Sequence, residues 1–180
     1  MNKNKGLPGL RGLDHVGFTV PDIEAATRFF LDVLGCELIY AIGPIADPHG
    51  DWMQKHLNVP RTAVIRELRL LRCGFGSNFE IFEYDVADQA SAAPRNCDVG
   101  GHHLAFYVDN IEQAMAHLLA HGVTLLGEPT VRQSGPSAGQ TWIYFLAPWG
   151  MHMELVSFPN GKGYERDAKR LLWNPCTPAE

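Results

Sequence analysis

The chain has 180 residues and a net charge of −5, from 15 Lys plus Arg against 20 Asp plus Glu. A hydrophobic fraction of 46% and a charged fraction of 19% describe a globular protein and exclude disordered, fibrous and coiled-coil classes. The acidic balance argues against nucleic acid as a partner, and no apolar run approaches the ~20 residues of a membrane span.

Residues 1–12 form an N-terminal extension that carries lysines but lacks the apolar core of a secretory signal. The first module follows at 13–85. Residues 14–20 alternate and are rich in β-formers, which predicts a strand with Val16, Phe18 and Val20 on one face and His15, Gly17 and Thr19 on the other. Pro21-Asp22 breaks it, and Asp22 caps a helix over about 23–34 that Gly35 stops. Strands are predicted over 36–42, 63–72 and 78–84. The long stretch 43–60 between the second and third strands, with a short helix around 51–57, has the length of a functional or mobile loop and is a candidate lid.

A linker, 86–100, leads to a second module at 101–158. It repeats the first at an offset of 88 residues: His15-Val-Gly-Phe-Thr-Val-Pro-Asp-Ile-Glu-Ala-Ala falls on His103-Leu-Ala-Phe-Tyr-Val-Asp-Asn-Ile-Glu-Gln-Ala, with six of twelve residues identical. This copy predicts a strand at 102–108, a helix at 111–121 closed by Gly122, and strands at 123–127, 140–146 and 151–157. The tail 159–180 contains one amphipathic stretch, 164–173, expected to pack on the outside. The fold class is therefore α+β, two tandem βαβββ modules, with the apolar strand faces covered by helices and the opposite faces lining a curved, cup-like mixed sheet.

Four polar residues fall on that inner face. Each module offers one His from its first strand, His15 or His103, and one Glu from its last, Glu80 or Glu154. A lone inward His is ordinarily a hydrogen-bonded structural residue, and a lone strand Glu ordinarily faces solvent. Four such residues at repeat-equivalent positions point instead to one divalent metal ion: Zn, Ni, Co, Mn or Fe. Glu83 has the opposite parity to Glu80. His102 points to the other face from His103. His152 shares the face of Glu154 and is a candidate neighbour of the ligands. His49, His56, His117 and His121 are expected to be solvated.

Three segments resemble the vicinal oxygen chelate superfamily, which includes glyoxalase I, methylmalonyl-CoA epimerase, extradiol dioxygenases and the fosfomycin and bleomycin resistance proteins. They are Leu13-Asp-His-Val-Gly-Phe-Thr-Val-Pro-Asp-Ile-Glu, Gly100-Gly-His-His-Leu-Ala-Phe-Tyr-Val-Asp-Asn-Ile-Glu and Tyr144-Phe-Leu-Ala-Pro-Trp-Gly-Met-His-Met-Glu-Leu-Val. The resemblance implies paired βαβββ modules around one metal held by His15, Glu80, His103 and Glu154. It also implies that superfamily members often dimerise, with the site within one chain or across two. The ligand set resembles that of glyoxalase I more than that of the epimerases, which carry Gln at the position of Glu80. The usual Asp-Pro-x-Gly turn is here Ala147-Pro148-Trp149-Gly150, which would place an aromatic near the mouth of the site.

The function this implies is a metal-dependent lyase or isomerase of glyoxalase type. It would move a proton through an enolate or enediolate of a small oxygen-chelating substrate, with Glu154 and Glu80 as the proton carriers. An extradiol Fe(II) dioxygenase is the first alternative, supported by Tyr144; a metal-free binding or resistance protein is the second. Arg69, Arg72, Arg132 and Lys162 are candidate grips for an anionic substrate, with solvated surface charge as the ordinary role. Trp52, Trp142 and Trp149 are candidates for an apolar lining or plain core. Cys36, Cys73, Cys97 and Cys176 have no CxxC spacing and read as reduced thiols of a cytoplasmic homodimer.

Overall fold

The computed structural model describes residues 6–178; residues 1–5 of the N-terminal extension and 179–180 of the tail lie outside the described residues. The first module runs β1 (His15–Thr19), α1 (Ile23–Arg28), β2 (Glu37–Ile42), α2 (Trp52–Leu57), β3 (Val64–Arg72) and β4 (Asn78–Asp85). The second runs β5 (Leu104–Tyr107), α3 (Ile111–Ala120), β6 (Thr124–Val131), β7 (Thr141–Leu146) and β8 (His152–Ser157). Each forms a four-stranded mixed sheet with the same order, β1-β4-β3-β2 and β5-β8-β7-β6. In both, the first and last strands pair parallel and the others antiparallel. This is the expected tandem βαβββ arrangement.

The repeat extends to the helix caps. The Asp22 side chain accepts a hydrogen bond from the Ala25 N–H at 2.8 Å, and Asn110 accepts one from the Gln113 N–H at 2.9 Å, satisfying amides that the first turn leaves without partners. After Arg28 the first helix widens into a π-helical turn, Phe29–Val33. It ends where Gly35 takes φ +73°, as Gly122 takes +72° after α3.

One apolar core joins the modules. Val20, Phe30, Leu71 and Ile81 from the first belong to the same buried cluster as Leu118, Ile143, Phe145 and Met153 from the second. The Phe79 and Phe106 rings meet at 6.0 Å. Trp149 packs against Phe29 and Phe30 at 5.8 and 6.0 Å, so it belongs to this core and does not stand at the mouth of a site. Its turn closes through Gly150 N–H to the Ala147 carbonyl at 2.8 Å.

Other expectations are refined as well. β6 continues to Val131, beyond the expected 127, because Gly127 at φ +70° and a register shift between Leu126 and Thr130 carry the strand past a bulge. The amphipathic stretch of the tail holds only a 3-10 turn, Gly163–Arg166. The segment 43–60 is anchored to the sheet at one point: Met53 is fully buried with Ala63, Ile65 and Leu68, beside Leu57, Leu70, Phe82 and Tyr84. Burying a side chain of that size contributes about 1.5–3 kcal/mol.

Arg69 is neither a substrate grip nor a solvated charge. It is 8% exposed on the helix side of β3, opposite Ile81. Its guanidinium donates to Thr27 Oγ1 at 2.9 Å, to Glu67 Oε1 at 2.9 Å and to Glu24, fastening α1 to the sheet. Arg69→Met is expected to lower unfolding free energy by about 1.5–3 kcal/mol, the scale of hydrogen bonds to a charged group. Urea denaturation tests this, and a midpoint equal to wild type would refute it.

Candidate metal centre

Strand alternation decides what each side chain faces. In β4, Phe79 and Ile81 point into the shared core, which sends Asn78, Glu80 and Phe82 to the other side. In β8, Met153 and Leu155 are buried, which places His152, Glu154 and Val156 opposite. The parallel pairing then brings the first strand alongside: Gly17 is the partner of Glu80 and Ala105 that of Glu154.

The result is two matching pairs. His15 Nε2 lies 3.1 Å from Glu80 Oε2, and His103 Nε2 lies 3.1 Å from Glu154 Oε2. Both histidines are over a third exposed, whereas Glu154 is the most enclosed of the four at 11%. The structure thus brings the four predicted residues together two by two. Each pair lies on the face of its sheet turned away from the common core. Among the described residues, no group of three or more His, Cys, Asp or Glu side chains is placed to hold a metal. An imidazole nitrogen and a carboxylate oxygen make half of a tetrahedral donor set, or a third of an octahedral one.

Small residues, Gly17 and Ala105, are the strand partners of the two carboxylates, a feature the sequence reading did not use. A Cβ on Gly17 would stand 3.7 Å from Glu80 Oε2 and 3.5 Å from the Phe82 ring; its counterpart is Ala105.

The pairs differ in their surroundings. His15 Nδ1 lies 2.8 Å from Asp14 Oδ2; that hydrogen bond, against some loss from burial and with Glu80 adding to it, raises the His15 pKa above its ordinary value. Asn78 in turn donates to the Asp14 carbonyl at 3.0 Å. The second pair has an aromatic wall. Tyr144 meets His103 edge-on at 5.1 Å and Trp142 at 5.3 Å. Burial pushes the Glu154 carboxyl above its usual range, partly offset by His103. Burial, then the neighbouring Glu154, raise Tyr144.

The remaining candidates separate clearly. Glu83 accepts from the Ile23 N–H at 2.9 Å on the helix side. His152 has a buried Nδ1 with no hydrogen-bond partner, its ring 6.4 Å from Tyr144. Trp52 stacks on His56 at 5.2 Å. Of the cations, Arg72 donates to the Gly74 carbonyl at 3.1 Å, Arg132 to Ser137 Oγ at 3.4 Å, and Lys162 lies over the Phe158 ring at 4.1 Å. His117 is not simply solvated: its Nε2 lies 2.9 Å from the Val33 carbonyl of the first module. No helix among the described residues is long and apolar enough to cross a membrane.

Comparison with known proteins agrees with the tandem βαβββ fold. The family model described as the glyoxalase/bleomycin resistance protein/dioxygenase superfamily matches residues 14–145. The chain is 43% identical over 172 residues to a 2-epi-5-epi-valiolone epimerase of an Actinomyces species, covering 95% of this chain and 92% of that protein. Among solved structures, a glyoxalase family protein of Bacillus cereus is similar with TM-score 0.63 at 23% identity, over 87% of this chain and 97% of that one. A fosfomycin resistance protein of Listeria monocytogenes gives TM-score 0.55 at 19% identity, over 87% and 98%. The two structures speak to the fold alone.

Proposed function

The chain belongs to the glyoxalase/bleomycin resistance protein/dioxygenase superfamily, and from that premise we propose that it is a metal-dependent epimerase. It inverts a carbon alpha to a carbonyl in a small polyoxygenated substrate that presents two adjacent oxygens. The observation that carries this reading is the pair of matched His–Glu couples, one per module. The epimerase relative favours isomerase chemistry over the lyase reaction of glyoxalase I, to which the ligand set alone pointed.

His15 and Glu80 of one chain, with His103 and Glu154 of a second copy, would hold the ion. A homodimer is what this requires, because within one chain the two couples lie on faces opposite the shared core. When bound, a divalent metal supplies Lewis acidity that stabilises negative charge developing on a carbonyl oxygen. Inversion needs a proton removed from one face of the carbon and one returned to the other, so two carboxylates are the required complement. Glu154, the more enclosed of the two, removes the proton. Glu80 returns one from the opposite side. Tyr144 and Trp142 give the substrate an apolar wall, and Gly17 and Ala105 leave room beside the carboxylates.

Solvent-deuterium exchange at the alpha carbon tests this, with 2-epi-5-epi-valiolone beside a panel of hemithioacetals and acyl-CoA thioesters. Exchange with the cyclic ketone, together with bound Zn, Ni, Co or Mn by elemental analysis, is expected. Ring opening of a catechol under O₂ with bound iron would replace this reading by a dioxygenase, and a metal-free protein that binds without exchange would replace it by a sequestering protein.

A further inference from the structure

Two cysteines far apart in the chain, and with no role in the site above, meet in the first module. β2 and β3 run antiparallel with Glu37 opposite Arg72, so the next position outward sets Cys36 opposite Cys73. Their backbones do not bond each other: the Cys36 N–H donates to the Phe30 carbonyl at 2.9 Å, and the Cys73 carbonyl accepts from the Gly76 N–H at 2.9 Å. A facing antiparallel pair without its own hydrogen bonds has the closer approach, with Cα atoms about 4.5 Å apart, inside the range that a disulfide spans. The two thiols are near enough to shift each other's titration, Cys36 upward and Cys73 downward. Cys36 is 5% exposed and Cys73 half-buried, and both pack on the common apolar core.

We infer that Cys36 and Cys73 form a redox couple that closes to a reversible intramolecular disulfide, with Cys73 as the attacking thiol and Cys36 as the resolving one. The assignment of roles rests on access. Cys73 opens the turn into β4 and lines a cavity of about 1180 Å³ between the modules; Cys36 does not line it. In the same sense, the neighbouring Cys73 thiol and burial raise the Cys36 pKa, while the neighbouring Cys36 lowers that of Cys73. The thiolate is the nucleophile in exchange.

The oxidant is a low-molecular-weight disulfide. The Cys73 thiolate attacks one of its sulfurs, its S–S bond breaks, and one small thiol leaves carrying the proton lost by Cys73. The Cys36 thiolate then attacks the Cys73 sulfur of the mixed disulfide, releasing the second small thiol with the proton lost by Cys36. The protein loses two electrons and two protons, and the small disulfide gains both. The new bond ties the start of β2 to the turn leading to Asn78, the residue that steadies Asp14 beside His15. This inference does not depend on the metal reading.

The test is incubation of the full chain with excess glutathione disulfide, followed by denaturation, thiol titration and peptide mapping. A Cys97→Ser/Cys176→Ser variant is treated in parallel, because those two cysteines are exposed. In both proteins, a peptide linking Cys36 to Cys73 is expected, reversed by dithiothreitol. In Cys36→Ala, a glutathione adduct is expected to accumulate on Cys73. Retention of both thiols, or a stable adduct on Cys73 in the wild type, would overturn the couple; an adduct on Cys36 in Cys73→Ala at the wild-type rate would overturn the assignment of roles. The wild-type mapping stands by itself should either alanine variant fail to fold.

Discussion

Mixing two inactive variants is expected to restore activity. His15→Ala and His103→Ala each remove one ligand, and each alone should lose at least ~10²-fold in turnover, given the several kcal/mol that a metal contributes to transition-state charge stabilisation. In a two-fold dimer whose sites are shared, one site takes its first half from one chain and its second half from the other. A mixed dimer of the two variants then gathers both substitutions in one site and leaves the other site with wild-type residues. Mixed dimers purified through two different tags should therefore recover about half of wild-type turnover under this symmetry. Were all four ligands gathered from a single chain, every chain in the mixture would carry a broken set and the mixed dimer would stay inactive. The observation behind the expectation is the packing: Phe79 against Phe106, and Trp149 against Phe29 and Phe30, commit the helix-side faces of both sheets to one core and leave each His–Glu couple on the face turned away from it.

That packing is also where sequence reading runs out. Alternation within a strand states which residues share a face, so Glu80 could be separated from Glu83, and the 88-residue repeat carried His15 onto His103; Glu154 matched Glu80 only by its place on the last strand of its module. These are local rules with a period of two; the repeat adds that both modules share one strand order, which the structure gives. Alternation cannot say which apolar surface a sheet meets. An apolar face covered by its own helix reads the same as one shared with a second module, and only the joint cluster of Phe30, Ile81, Phe145 and Met153 distinguishes them. Arg69 was ambiguous for a related reason. A charged residue on a strand ordinarily faces water, and its burial depends on Glu24 and Thr27, distant in sequence, arriving with α1. The anchoring of 43–60 was hidden because Met53 is the one buried residue of α2; its burial comes from Leu68 and Ile65 of β3. Cys36 and Cys73 meet only through the register of β2 on β3, which the spacing of cysteines along the chain does not encode.

The chemistry itself is most sharply tested at Glu154. Its carboxylate is buried against His103 and Tyr144, and desolvation favours the protonated form, so the group takes up a proton more readily than an exposed glutamate does. Glu154→Gln keeps the size of the side chain and one oxygen able to ligate, but it removes basicity. The variant is therefore expected to keep its bound metal by elemental analysis while losing at least ~10²-fold in alpha-carbon deuterium exchange, the usual scale of acid–base catalysis. Glu80→Gln separates the two roles. If Glu80 returns the proton on the far face, this variant should still exchange the alpha proton through Glu154 yet fail to invert the centre, so that labelled substrate accumulates without epimer. Loss of exchange and inversion in equal measure in both variants, with metal retained, would mean that neither glutamate acts alone on one face. Loss of the metal from Glu154→Gln would move that residue from proton carrier to ligand only. Full exchange by Glu154→Gln would end its candidacy as the base and send the search to Tyr144, whose ring stands 5.1 Å from that of His103 on the same face.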